Sequence, residues 1–138
     1  MFFFFYPPSE QFEYGESLQR MHRSLEIARS AAPNISVGAL ATFVAVAAHC
    51  RELSLLKTSL PQFARRIGIP YSRLMRELDG LSDGTPDRPG LGLLDKFIDP
   101  KARRNRKFLP SPSGQRVLQS MIDELLPPKS ANQNSSSD

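Results

Sequence analysis

The strongest constraint on the fold is a glycine–proline junction near the middle of the chain, which separates two short amphipathic segments. Gly68 is suited to end one helix, and Pro70 is suited to the first turn of the next. Apolar residues before the junction recur with the i, i+3, i+4, i+7 spacing of a helix: Leu60, Phe63, Ala64 and Ile67. After the junction, Leu74, Leu78 and Leu81 fall on one helical side. Two short helices joined by a tight turn are therefore predicted, as in a helix-turn-helix.

A strand–turn–strand pattern follows the second helix. Residues 92–98 (GLLDKFI) and 106–109 (RKFL) are rich in strand formers and predict the two strands of a hairpin. Pro110 predicts a short return strand at a sheet edge. Residues 83–91 (DGTPDRPGL) are rich in turn formers and predict a loop between the second helix and the hairpin. The predicted fold class is mainly α (α+β), a winged helix-turn-helix with a two-stranded β wing.

Amphipathic segments flank this unit on both sides. Residues 9–31 and 113–126 are predicted to form helices, and each helix has an apolar face. A domain of this size offers few other elements that could cover these two faces. The apolar residues expected to form a homodimer interface are Tyr14, Leu18, Met21, Leu25, Leu118, Met121, Ile122 and Leu125. The alternative is that both faces pack on a central helix. Residues 35–50 are almost entirely apolar and predict such a helix, with Ser36 as its cap.

The length of 138 residues fits one domain. That domain is predicted over residues 9–126, with dimerisation helices at 9–31 and 113–126 and a DNA-binding lobe at 35–110. Residues 1–8 form an apolar N-terminal segment that could anchor the interface or could be a partly disordered start. Residues 127–138 have too little apolar content to order themselves and predict a disordered tail.

The positive charge of the chain is concentrated in its centre. The net charge is +4 and the isoelectric point is about 9.6, which favours polyanionic partners. Residues 59–108 hold eleven Lys or Arg against six Asp or Glu. On the second helix, the residues expected to contact duplex DNA are Ser72, Arg73 and Arg76. On the wing they are Lys101, Arg103, Arg104, Arg106 and Lys107, a run that could otherwise be a solvated loop.

Several classes of site and location are disfavoured by the composition. Cys50 is the only cysteine, so an internal disulfide is impossible and a reducing cytoplasm, with association to the nucleoid, is expected. Two isolated histidines support no metal site, and no phosphate loop or nucleophile–base motif is present, so neither a cofactor nor an enzymatic activity is expected. The apolar stretch at 35–50 is shorter than the roughly 20 residues of a membrane span, and the phenylalanine-rich start lacks the features of a signal peptide. Cys50 is expected to be a small core residue rather than a redox sensor.

Taken in order, these motifs resemble the MarR family of bacterial transcription regulators over residues 9–126. The matching features are Gly68, Ser72, Arg76, Gly92-Leu93-Leu94, Asp99-Pro100, Arg103-Arg104 and Ser111-Pro112-Ser113-Gly114. The resemblance implies a homodimer with interlocked terminal helices, one recognition helix per DNA half-site, and wings that reach the flanking minor grooves. It also implies that Arg104 is the wing-tip arginine, and that a small-molecule effector, not identified by any residue set, could bind. Ala102 departs from the family, which usually has an aspartate that helps to hold the wing arginine.

The function expected from these features is sequence-specific binding of duplex DNA at an inverted repeat, as a homodimer that represses transcription. Two alternatives remain open. One is an accessory or architectural DNA-binding protein of a mobile element, and the other is a winged helix that serves as a protein-interaction module and binds no DNA.

Overall fold

The computed structural model of this protein describes residues 8–55, 57–98, 100–101 and 106–126, with side chains described from residue 14 onward except at residue 54. The chain is mainly helical and carries two small antiparallel sheets, which is compatible with a winged helix. The elements are α1 (Pro8–Ala31), α2 (Val37–Ala48), α3 (Cys50–Ser54), α4 (Leu60–Ile67), α5 (Tyr71–Leu81), β1 (Gly84–Thr85), β2 (Arg88–Pro89), β3 (Leu94–Ile98), β4 (Arg106–Pro110) and α6 (Pro112–Leu125). The expectations for residues 1–7 and for the tail at 127–138 lie outside the described residues.

Helices α4 and α5 meet at the predicted tight turn. Helix α4 begins at a capping box, in which the Ser59 hydroxyl accepts from the Gln62 amide and the Gln62 side chain accepts from the Ser59 amide. It ends at Gly68, whose φ of 79° lies in the left-handed region that a side chain disfavours. Pro70 then caps α5 in an extended conformation. The glycine and the proline therefore fix the angle between the two helices.

The core lies beneath these helices and is built mainly from α2, α4, α5 and β4. Its largest fully buried side chains are those of Phe43, Phe63, Phe108, Leu74, Leu78 and Leu81. Helix α6 approaches the core closely at Gly114, where a Cβ atom would come within 2.1 Å of the Leu93 carbonyl oxygen. The Ser111 hydroxyl caps α6 by accepting from the Gly114 amide and itself donates to the Gly92 carbonyl at 2.6 Å. These bonds fasten α6 to the segment that leads into β3.

Two local features differ from the expectation. The apolar stretch at 35–50 does not form one helix, because α2 ends at Ala48, with His49 as its C-cap, and α3 begins at Cys50. The segment predicted as a loop at 83–91 contains the β1–β2 hairpin, in which Gly84 pairs with Pro89 and Thr85 pairs with Arg88. Turn-forming residues alone signal a reversal of the chain, and they do not reveal that the flanking residues pair.

Helix α1 packs along α6. Arg20 donates to the Leu126 carbonyl at 2.8 Å, and Arg23 pairs with Glu124 at 2.9 Å. The apolar stripe of α1 ends at Ala28 and Ala32, which are buried. The first and last helices of the chain are therefore joined side by side. Within the described part of the chain, no helix has the length and apolar character needed to cross a membrane.

Candidate nucleic-acid interface

The outer face of α5 is set by the three leucines on its inner side. Leu74, Leu78 and Leu81 are fully buried, which leaves Ser72 and Arg76, one helical turn apart, exposed on the opposite side. Arg76 has no carboxylate within ion-pair distance among the described residues. Of the residues predicted to contact DNA from this helix, Ser72 and Arg76 lie where such a contact is geometrically open.

Arg73 has a different setting, on the flank of α5 that faces α2. Its Nε lies 3.2 Å from Glu77 Oε2, and the other carboxylate oxygen of Glu77 accepts from the buried Thr42 hydroxyl. The Arg73 guanidinium lies against Gly38, where an added Cβ would come within 2.7 Å of Arg73 Nη2. Arg73 therefore helps to fasten α5 to α2, and its charge is partly neutralised.

The wing strands lie beside the opposite flank of α5. Strand β3 pairs with β4 in antiparallel register, from Leu94 opposite Pro110 to Ile98 opposite Arg106. Arg106, Lys107 and Phe108 share with Tyr71 and Met75 a cleft of about 540 Å³. Because Tyr71 and Met75 belong to the first half of α5, the tip-side part of β4 adjoins the part of the helix that carries Ser72 and Arg76.

The predicted wing cations are only partly described by the structure. Arg106 and Lys101 are exposed, and Lys107 is half-buried. Arg103 and Arg104 fall within 102–105, outside the described residues, so their expected contacts stay predictions. Arg106, in the last strand pair before the tip of the hairpin, therefore lies beside the first half of α5.

Lys96 on β3 links the wing to the end of α5. Its ammonium lies 3.2 Å from Asp83 Oδ1 and 3.7 Å from Asp79 Oδ1. The Asp79 Oδ1 atom is buried and has no hydrogen-bond partner in the described structure. The positive charge of Lys96 nearby partly compensates for the burial of this oxygen atom. The hydrogen bond from Lys96, together with its charge, lowers the pKa of Asp83 below the ordinary value of 3.8. This three-residue contact fixes the orientation of β3 relative to α5.

We expect the contact to be acid-sensitive. Since the pKa of Asp83 is lower in the folded state, its contribution to stability is present above the ordinary value of 3.8 and is lost as pH falls through the lowered value. In Lys96→Met, the pKa of Asp83 should return toward 3.8, and this part of the acid dependence should disappear. Carboxyl NMR titration of Asp83 measures the shift. Lys57→Met, at an exposed lysine before α4, is the control, and an unchanged Asp83 pKa in Lys96→Met would refute the contact.

Carboxylate pairing divides the cations of this region into two groups. Arg66 pairs with Glu52 at 2.8 Å, Arg73 pairs with Glu77, and Lys96 pairs with two aspartates. The hydrogen bond and charge of Arg66 also lower the pKa of Glu52. The cations without a carboxylate partner in the described residues of this region include Arg65, Arg76, Arg88 and Arg106. A cation without a carboxylate partner can neutralise a phosphate without first breaking an ion pair.

Sequence reasoning misses the positions of Lys96 and Arg88. In the sequence Lys96 is one of many cations of residues 59–108, and only the three-dimensional fold brings it to Asp79 and Asp83. Arg88 lies in the segment predicted as a loop, where the sequence gives no sign that the backbone holds it beside α5. The signal that could have singled it out is its place in a Pro-Asp-Arg-Pro turn that lies between Gly84 and Gly90.

The predicted dimerisation residues fall into exposed and inward-facing positions. Tyr14, Leu18, Met21 and Leu25 are 47–60% exposed, although Ala28 and Ala32 of the same stripe are buried. On α6, Ile122 and Leu125 are exposed, Leu118 is half-buried, and Met121 is 7% exposed and belongs to the core of its own chain. The apolar stripe of α1 is therefore exposed from Tyr14 to Leu25 and becomes buried only near the end of the helix, at Ala28.

No group of three or more candidate metal ligands occurs among the described residues. Comparisons of the chain with models of known protein families, with curated proteins and with solved structures give no match.

Proposed function

We propose that this protein is a transcriptional regulator of the MarR type, which binds duplex DNA through a winged helix and represses transcription as a homodimer on an inverted repeat. In this proposal α5 is the recognition helix, and β3 with β4 forms the wing. Ser72 and Arg76 enter the major groove, and the wing cations approach the flanking phosphates and minor groove.

The observation that carries the proposal is the placement of cations without carboxylate partners around one face. Arg76 is exposed on the outer side of α5, and Arg106 is exposed on the strand beside the same helix. Neither has a carboxylate partner among the described residues, whereas Arg73 and Lys96 nearby are paired. Phosphate neutralisation by such cations supplies the salt-dependent part of DNA affinity.

The homodimer is supported by the exposed half of the α1 stripe. Four large apolar side chains are exposed together on one face of α1, whereas the exposed apolar residues of a monomer are normally scattered. A twofold axis beside α1 would let two copies cover these faces mutually. Two recognition helices would then be related by the same axis, which is the geometry that an inverted repeat matches.

Selection of bound sequences from a pool of random duplexes at moderate salt tests the proposal. The expected result is a palindromic motif whose half-sites are about 10 base pairs, or one helical turn, apart. Binding without any enriched motif would support an accessory or architectural role instead. Absence of binding even at low salt would refute the proposal and favour a protein-interaction module, because electrostatic attraction to DNA is strongest there.

A further inference from the structure

The β1–β2 hairpin between α5 and the wing is held in a defined conformation. Gly84 has a φ of 78°, and a Cβ atom there would come within 2.2 Å of the Arg88 carbonyl oxygen. At Gly90 a Cβ atom would meet the Ser82 carbonyl oxygen at the same distance. Both glycines therefore permit a close approach of backbone to backbone that other residues would block.

Backbone hydrogen bonds join the base of this hairpin to the end of α5. Leu91 donates to the Gly80 carbonyl at 2.9 Å, and Leu93 donates to the Leu81 carbonyl at 2.9 Å. At the turn, the Arg88 amide donates to the Thr85 hydroxyl at 3.2 Å. Arg88 is thus exposed on a structured turn whose base is hydrogen-bonded to the end of α5.

The hairpin lies along the flank of α5 that is opposite the wing. An open cleft of about 850 Å³ is bordered by the hairpin, by residues 34–36 before α2, and by the outer second half of α5. The cleft includes Glu77 and Gly80 of α5, whereas the wing-side cleft includes Tyr71 and Met75. At about 100° per residue these two pairs fall on opposite sides of the Ser72–Arg76 face. The recognition helix is therefore bracketed by a hairpin on each flank.

The cleft beside the small hairpin retains positive charge. Arg76 and Arg88 line it, and neither has a carboxylate partner within the described ranges. Two acidic residues also line it, but Glu77 is engaged by Thr42 and Arg73, and Asp79 lies beside Lys96. The exposed Asp87 at the turn is not among the residues that line the cleft. The charge available to a ligand in the cleft is thus that of the two arginines.

We propose that this cleft is a second DNA-contacting surface, in which Arg88, with Arg76, holds one backbone phosphate of the duplex on the side of the recognition helix away from the wing. The inference rests on the proposed function, since it concerns the same face of α5. Its partner is the phosphodiester backbone, because a guanidinium on an exposed turn suits a bidentate contact with phosphate oxygens. The contact fixes the rotation of α5 in the groove by anchoring both of its flanks.

The salt dependence of DNA binding in Arg88 variants tests this surface. For a duplex bound by the wild-type protein, Arg88→Ala should weaken binding about 3- to 10-fold and reduce the slope of log affinity against log salt by about 1. Arg88→Lys should restore most of the slope, because it retains the charge. Asp87→Ala in the same turn is the matched control and should bind as tightly as the wild type or more tightly. Ethylation interference should reveal one essential phosphate per half-site that is lost in Arg88→Ala.

The outcomes separate the two proposals. If the wild-type protein binds duplex DNA and Arg88→Ala has the same slope and the same essential phosphates, the second surface is refuted while the proposed function stands. An equal loss in Asp87→Ala would also refute it, since the cause would then be a disturbed hairpin. If the wild-type protein binds no duplex at any salt concentration, both proposals fail together.

Discussion

Replacement of Arg76 and Arg106 by glutamate should reduce affinity for duplex DNA by at least about 100-fold. Both side chains are exposed, one on the outer face of α5 and the other in the last strand pair before the tip of the wing. Reversal of each charge removes one phosphate or base contact and adds a repulsive carboxylate facing the duplex. Neither arginine has a carboxylate partner among the described residues, so the double variant breaks no ion pair within that part of the chain. Fluorescence anisotropy with a selected duplex measures the affinity, and circular dichroism checks that the fold is retained.

The matched control carries the same change in net charge on other helices. Arg29, which pairs with Glu26 on the exposed side of α1, and Arg116 on α6 are both exposed. Their joint replacement by glutamate also lowers the net charge by four, at the loss of that one surface ion pair. We expect this control to lose less than about 10-fold in affinity, because it removes no cation from α5 or the wing and salt screens the remaining attraction of exposed charges. An equal loss in both variants would mean that net charge alone governs binding. The assignment of α5 and the wing as the DNA-contacting elements would then be refuted.

Arg73 should behave differently from Arg76, although the sequence places both on the recognition helix. Arg73→Ala breaks the contact with Glu77 and leaves that carboxylate, which is 13% exposed, with the Thr42 hydroxyl. Its main effect should therefore fall on stability rather than on DNA contact. Arg76 has no such partner in the described structure, so its removal acts directly on the ligand. The sequence could not separate the two, because the difference depends on Thr42 and Gly38 of a helix about thirty residues earlier.

Strong local signals made much of the fold predictable. Gly68 and Pro70 fix the turn between α4 and α5 through backbone conformation alone, and Ser36 caps α2 as predicted by accepting from the Ala39 amide. The mainly helical class and the antiparallel pairing of residues 94–98 with 106–110 also followed from local periodicity. These features need only residues that are close in sequence.

The parts that were not predicted depend on contacts between distant residues. Helix α3 forms after a break at His49 that no glycine or proline marks. The β1–β2 hairpin depends on close backbone approach at Gly84 and Gly90, which only the folded chain displays. The division of cations into paired and unpaired groups likewise requires knowledge of which carboxylates the fold brings near. The density of cations in the sequence therefore indicates the candidate surface. It does not show which of these cations lack a carboxylate partner in the described structure and could bind a phosphate directly.

Leu18→Glu should convert a homodimer into a monomer and, through that change, weaken binding to an inverted repeat. Leu18 is 60% exposed on α1, so the substitution should change the stability of the monomer by no more than about 0.5 kcal/mol. In a twofold interface, Leu18→Glu would place one carboxylate from each copy among apolar side chains. The desolvation of these carboxylates would cost several kcal/mol, which corresponds to a loss of about 100-fold or more in dimer affinity. Sedimentation velocity measures the mass in solution, and anisotropy compares an inverted repeat with a single half-site.

Gln19→Glu is the matched control, because it adds the same charge at the neighbouring exposed position, away from the apolar stripe. This variant should remain dimeric and should bind the inverted repeat as the wild type does. Leu18→Glu should lose most of the preference for the repeat over the half-site. In a dimer, binding of the first recognition helix raises the effective concentration of the second at its half-site, and two separate monomers lack this gain. If Leu18→Glu stays dimeric, the interface lies elsewhere on the molecule. If the wild-type protein is itself a monomer that still prefers the repeat, the exposed stripe of α1 has another role, and the second half-site must be engaged without it.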